Sequence, residues 1–296
     1  MTHDSGKWVD IDGIRTFHVE AGQGVPVLFL HGGVAGDGAD ADASGSWNLI
    51  LDGLGEGYRA IAMDRLGQGR TALPEREQDW SMEAAIAHVR AFISQVCGGP
   101  VHLVGHGSGA YAALSIATRD RALVRSCTLV SGHLASPTPP RHELVLNANP
   151  HPPFSAESQR FVVEAGSISH DHMTREWLAA RTTLLQGDAN RAAYARMVEQ
   201  GLHETIYLPY LRIDREALFP ELERRSIRRP VLLVWGFDDP IAPLAGAYDL
   251  YDLLARHEHR VEMHVINRCG HYPFREHPGE FTRVLTGFFE DVRHGA

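Results

Sequence analysis

The sequence predicts a doubly wound α/β fold: a mostly parallel sheet with helices on both faces and a helical cap insertion over one edge. Three observations carry this. Short, near-continuous apolar runs alternate with segments of helical periodicity. The runs lack the alternation of a half-exposed strand and resemble parallel strands covered on both faces. The alternation stops after residue 132, gives way to helical patterns, and resumes near residue 229. A chain of 296 residues, 44% hydrophobic, can bury such a sheet without staples.

In chain order, WVDIDGIRTFHVE (8–20) alternates around Asp12-Gly13, a dipeptide that favours a tight hairpin. VPVLFLHG (25–32), YRAIAMD (58–64), VHLVGH (101–106) and VRSCTLVSG (124–132) follow as core strands. Between the second and third of these, SMEAAIAHVRAFISQV has helical spacing behind Ser81 as N-cap, and SGAYAALSIATRD opens another helix at Ser108. The stretch ASPTPPRHELVLNANPHPPF (135–154) holds too many prolines for a central strand or an unbroken helix. Helical patterns then run to about residue 225, clearest in MTREWLAARTTLL and ANRAAYARMVEQGL. RPVLLVWG (229–236), a helix near 244–256, VEMHVINRCGH (261–271) and a helix from about Pro278 complete the chain. The expected division is a core of 1–132 and 226–296 with a cap of 133–225.

The net charge of −9, without blocks of like charge, excludes a nucleic-acid surface. Cys97, Cys127 and Cys269 are odd in number and far apart, which predicts reduced thiols in a cytoplasmic protein. No apolar run approaches the roughly 20 residues of a membrane span, and MTHDSGKW lacks the features of a signal peptide.

Four features fall at predicted strand ends, which converge in space along one edge of a parallel sheet. They are His31-Gly32-Gly33, the corner Gly105 to Gly109, Asp239 in WGFDDPIAP, and His271 in NRCGHYPF. Their order resembles the α/β-hydrolase superfamily, in which a nucleophile elbow precedes the acid and the histidine. The likeness covers nearly the whole chain and includes AMDRLGQGRT (62–71). Within that superfamily, MDRLGQGRT, LVGHGSGA, REWLAARTTLL and CGHYPFREHPGEF are most similar to the meta-cleavage-product hydrolases, which split carbon–carbon bonds in vinylogous diketones.

An elbow reads small-x-nucleophile-x-small. With Gly105 and Gly109 as the small residues, Gly107 takes the place that resembles the family's serine. Centring on Ser108 instead would set His106 where a glycine is wanted. The chain thus departs from the family pattern at its nucleophile, and glycine relieves the strain of positive φ while deleting the hydroxyl. The N–H groups of Gly33 and Ser108 remain for an oxyanion hole.

His271 is expected as general acid/base and Asp239 as its orienting partner, with Asp238 as fallback. No carboxylate follows LVSGHLA, the alternative acid position. His31 is read as structural. The resemblance implies substrate contacts at His106, in the place of the family's Asn, and at Arg181; Trp177, most simply cap core, and Tyr272 are added as candidate contacts. The loop bearing Asp37, Asp40 and Asp42 lacks calcium-loop spacing and is read as solvated. No metal motif is present, and GQGRTA lacks the third glycine of a dinucleotide site, so no cofactor is expected.

Three functions are consistent with this set. The first is a hydrolase of carbon–carbon or ester bonds in a small hydrophobic or aromatic substrate, either inactivated at Gly107 or using water directly. The second is a cofactor-free lyase, isomerase, cyclase or dioxygenase using the same dyad. The third is a degenerate hydrolase that only binds a ligand. A displaced nucleophile at Ser108 is a minor fourth, and a homodimer is left open.

Overall fold

The computed structural model describes residues 6–137, 148–225 and 227–294. At its centre lies an eight-stranded sheet in the order β1-β2-β4-β3-β5-β6-β7-β8. The strands are β1 (Lys7–Ile11), β2 (Ile14–Gly22), β3 (Gly24–Leu30), β4 (Gly57–Met63), β5 (Val101–His106), β6 (Val124–Val130), β7 (Val231–Gly236) and β8 (Val261–Ile266). β2 runs antiparallel to both neighbours and all other pairs are parallel. The opening hairpin turns at Asp12 (φ 53°) and Gly13 (φ 88°), with Ile11 paired to Ile14. Two successive positive φ values give the turn whose twist matches the strands it joins.

The apolar runs are continuous because both sheet faces are covered. Leu28 and Leu30 of β3 join a core with Ile86, Val89 and Phe92, whereas Val27 and Phe29 join a second core with Trp47, Phe281 and Phe289. Alternate residues of one strand therefore feed opposite layers. The labelled helices are α1 (Met82–Phe92), α2 (Ser108–Arg119), α3 (Ala156–Gly166), α4 (Arg175–Gln186), α5 (Asp188–Tyr194), α6 (Leu208–Arg224), α7 (Leu244–Ala255) and α8 (Pro278–Arg293). Ser81 caps α1, its Oγ accepting from Ala84 N at 3.2 Å. The small residues of α2 let it lie buried from Ser108 to Thr118. Helices α3 to α6 lie between β6 and β7, where the sequence interrupts its alternation. Residues 138–147 of the proline-rich stretch lie outside the described residues. Among the described residues, no helix is long and apolar enough to cross a membrane.

One boundary differs from the sequence reading. The strand expected to run to His271 ends at Ile266, and a turn through Arg268 (φ 53°) carries the chain to the histidine. The polar residues of Asn267–Arg268 leave the sheet, and Phe237 N instead closes on Ile266 O at 2.8 Å. His271 thus sits on a loop beyond the strand.

The interior holds imidazoles that the fold keeps neutral. Burial pushes His88 and His102 down to about 4, and His106 and His172 down to about 3. Below the ordinary value of 6.5 the unfolded chain gains protons that the folded chain refuses until near pH 4 or 3. Stability is therefore expected to fall as pH descends from 6.5 toward 4, by roughly 1 kcal/mol per pH unit for each imidazole. Urea midpoints should be distinctly lower at pH 5 than at pH 7.5. Equal midpoints would contradict this.

Candidate active site

β5 ends at His106 and α2 begins at Ser108, so one residue makes the corner. Gly107 does so at φ 55°, ψ −118°. A Cβ on Gly105 would run into the Gly109 carbonyl, and one on Gly109 into those of Leu30 and His31. Close approach of strand and helix thus requires glycine at both flanks. A Cβ on Gly107 would meet nothing nearer than His133 Cε1 at 3.5 Å and Gly32 Cα at 3.6 Å. Space for a side chain exists there, and only the backbone conformation favours glycine.

The Ser108 hydroxyl is committed elsewhere. It donates to Gly33 O at 2.6 Å and accepts from Arg65 Nη2 at 2.7 Å, tying the helix start to the HGG turn. The same guanidinium nitrogen donates to Gly32 O (2.8 Å) and Gly33 O (2.9 Å). His31 completes this scaffold: Nδ1 donates to Gly32 O at 2.9 Å, and Nε2 accepts from Arg65 N at 3.1 Å. Removal of the hydroxyl in Ser108→Ala should cost about 1 to 2 kcal/mol of stability. Because the N–H remains, kcat should fall less than about tenfold, as denaturant titration and steady-state kinetics can check. A folded Ser108→Ala protein without turnover would instead make this hydroxyl the nucleophile.

Asp239 and His271 meet across the ends of β7 and β8. Gly236 packs directly on the Gly270 carbonyl, where a Cβ would clash, and this lets the two loops touch. Asp239 Oδ1 accepts from Ile241 N (2.9 Å) and Ala242 N (2.8 Å), which fixes the carboxylate. Its Oδ2 lies 2.9 Å from His271 Nδ1, and both groups are buried. A carboxylate held by amide donors acts as acceptor, so Nδ1 donates to it and Nε2 is the ring nitrogen left for proton transfer. Asp238 is exposed and makes no such contact. His271 N donates to Gly166 O at 2.7 Å, and Glu276 Oε1 accepts from Gly270 N at 2.9 Å, which hold the loop on both sides.

His106 Nε2 donates to His271 O at 2.9 Å, its ring 4.6 Å from the His271 ring. Its Nδ1 is buried without a partner. Tyr272 stands edge-on to His271, with ring centroids 5.3 Å apart.

A cavity of about 460 Å³ opens over this edge. Its lining includes Gly33, His106, Gly107, Ser108, His271 and Tyr272, so one space collects six of the sequence-predicted site residues. Apolar walls come from Val162, Met197, Leu211 and Ile241. Among the described residues, neither Gly33 N nor Ser108 N has an acceptor.

Trp177 and Arg181 do not line the cavity. They share one face of α4, turned toward the Asp40–Ser46 loop and Arg275. Arg181 Nη1 donates to Asp42 Oδ1 (2.9 Å) and Ser46 Oγ (2.8 Å), and its Nη2 pairs with Asp40. The guanidinium groups of Arg181 and Arg275 lie 4.8 Å and 3.8 Å from the centre of the Trp177 ring. The acidic loop is likewise not solvated as read. Burial would raise the Asp42 carboxyl, but Arg181 outweighs it and holds the group below the carboxylate range. Burial and the neighbouring Asp40 push Asp37 up to about 6.

Sequence reasoning also passed over His133, which lines the cavity. The sequence after β6, LVSGHLA, offers no carboxylate, and no spacing pattern marks its histidine as a base.

Residues 27–284 match the model of the alpha/beta hydrolase family. The chain belongs to that family. Among similar proteins is the 2-hydroxy-6-oxo-6-(2'-aminophenyl)hexa-2,4-dienoic acid hydrolase of Metapseudomonas resinovorans, 30% identical over 95% of this chain and 90% of that one. The 2-hydroxymuconate semialdehyde hydrolase of a Pseudomonas species is 26% identical over 97% and 94% of the two chains. Among solved structures, a serine hydrolase involved in carbazole degradation superposes with a TM-score of 0.75 at 27% identity, covering 96% of this chain and 98% of that one. A meta-cleavage product hydrolase, 23% identical with a TM-score of 0.79 over 97% and 98% of the two chains, shares the fold. This alpha/beta hydrolase is thus related to enzymes of meta-cleavage product hydrolysis along nearly its whole length.

Proposed function

We propose that this chain hydrolyses a carbon–carbon bond in a small, largely apolar ketone of the vinylogous-diketone class, or a related aryl ester, with water in place of a serine nucleophile. The observation that carries this reading is the His271–Asp239 pair beside a glycine at the elbow, in a cavity whose walls are mainly apolar. The Metapseudomonas relative, named for an aryl-substituted oxo-dienoic acid, supports the substrate class.

In this reading the helices between β6 and β7 form the cap. His271 Nε2 takes a proton from water as the water oxygen bonds to the substrate carbonyl. Asp239 stabilises the imidazolium. Gly33 N–H and Ser108 N–H receive the developing oxyanion, each such donor being worth about 3 to 4 kcal/mol in comparable sites. Collapse of the hydrate expels the adjacent carbon with the bonding pair, which then takes up a proton, or the aryloxide of an ester, and yields a carboxylic acid. His106 Nδ1 and Tyr272 contact the substrate.

The test is to assay the unaltered chain and His271→Ala on an aryl ester and an aryl vinylogous diketone. Turnover that depends on the imidazole supports the proposal. Turnover indifferent to it removes the dyad from the chemistry, and absence of turnover by the unaltered chain removes the hydrolase reading.

A further inference from the structure

We propose that His133 is a second catalytic residue, acting as general acid toward the carbon leaving group across the site from His271. This rests on the reading of His271 as base. β6 ends at Val130, and the next residue, Ser131, takes φ 45° although it is not a glycine. His133 N then closes back on Ser131 O at 3.0 Å. Such a backbone is costly for an L residue, on the order of 1 to 3 kcal/mol, and persists where surrounding structure enforces it. Gly132 packs against α2, where a Cβ would lie 2.7 Å from that of Ala110. The turn thereby delivers the half-buried His133 ring into the cavity.

There it faces the space that Gly107 leaves open. His133 Cε1 lies 3.5 Å from where a Cβ of residue 107 would stand, and the His133 and His271 rings are 5.8 Å apart. His133 thus borders the place where the family's elbow would project a side chain, and His271 lines the same cavity. One base suffices to activate water. Breaking a carbon–carbon bond also leaves an electron pair on carbon, and that pair requires a proton.

The proposed step balances as follows. Water loses a proton to His271 and bonds to the carbonyl carbon. The hydrate expels the α-carbon with the bonding pair, and the His133 imidazolium supplies that carbon's proton. The His271 proton returns through solvent to His133, so each turnover consumes one water and releases an acid and a protonated carbon fragment.

An ester with a p-nitrophenolate leaving group needs no such proton, which provides the test. His133→Gln and His133→Ala are assayed with the unaltered chain and His271→Ala on a p-nitrophenyl ester and an aryl vinylogous diketone. For both His133 variants, kcat on the diketone should fall about a hundredfold with KM within about threefold, in the range of general acid catalysis. The loss on the ester should be at least about tenfold smaller, and added imidazole should restore part of the diketone rate of His133→Ala. Equal losses on both substrates without imidazole rescue, or retention of the diketone rate, would overturn the role of His133. Those results, with His271→Ala still inactive, would leave the dyad standing; diketone turnover by His271→Ala would overturn the dyad itself.

Discussion

Gly107→Ser should raise aryl-ester hydrolysis by about a hundredfold to ten-thousandfold. A serine at the elbow would place a hydroxyl in the cavity shared with His271, and a positioned base can activate such a nucleophile for covalent catalysis. Two terms oppose each other. The side chain has room, since its Cβ would make only ordinary contacts with His133 and Gly32. The backbone at φ 55° costs an L residue about 1 to 3 kcal/mol, so the variant should unfold at lower urea concentration. Lower stability combined with new esterase activity is the expected signature. A folded Gly107→Ser protein with no gain would mean that His271 does not address residue 107.

His271→Ala should remove about three orders of magnitude from turnover of both substrate types by the unaltered sequence. Its ring is the group that Asp239 orients at 2.9 Å, with Nε2 left for proton transfer. A general base contributes about a hundredfold to ten-thousandfold, and loss of the imidazolium also unpairs Asp239 from its partner. KM should change little, because apolar walls supply most of the binding. A large rise in KM with kcat preserved would reassign His271 to substrate binding.

Much of this was legible in the sequence because it is encoded locally. Parallel strands covered on both faces must be apolar throughout, and their ends fix where His31, Gly107 and Asp239 lie. The corner at Gly107 lies between two glycines four residues apart, each required by a close backbone approach. What escaped depends on partners remote in sequence. Asp40 and Asp42 read as a solvated loop because Arg181, which neutralises them, lies on α4 of the insertion. The resemblance implies a substrate contact at Arg181, and Trp177 is read most simply as cap core; their shared helix face turns toward that loop. His133 follows a turn whose geometry no spacing pattern records. The β8 boundary failed because the apolar pattern does not mark where Arg268 reverses the chain.

The most direct measurement is intact-mass analysis of the unaltered chain after exposure to a fluorophosphonate, alongside its turnover of the aryl ester and the diketone. An unmodified mass with turnover retained is expected, while Gly107→Ser should gain one covalent adduct under the same treatment. An adduct on the unaltered chain that abolishes its turnover, located at Ser108 or any other hydroxyl, would contradict water as the nucleophile.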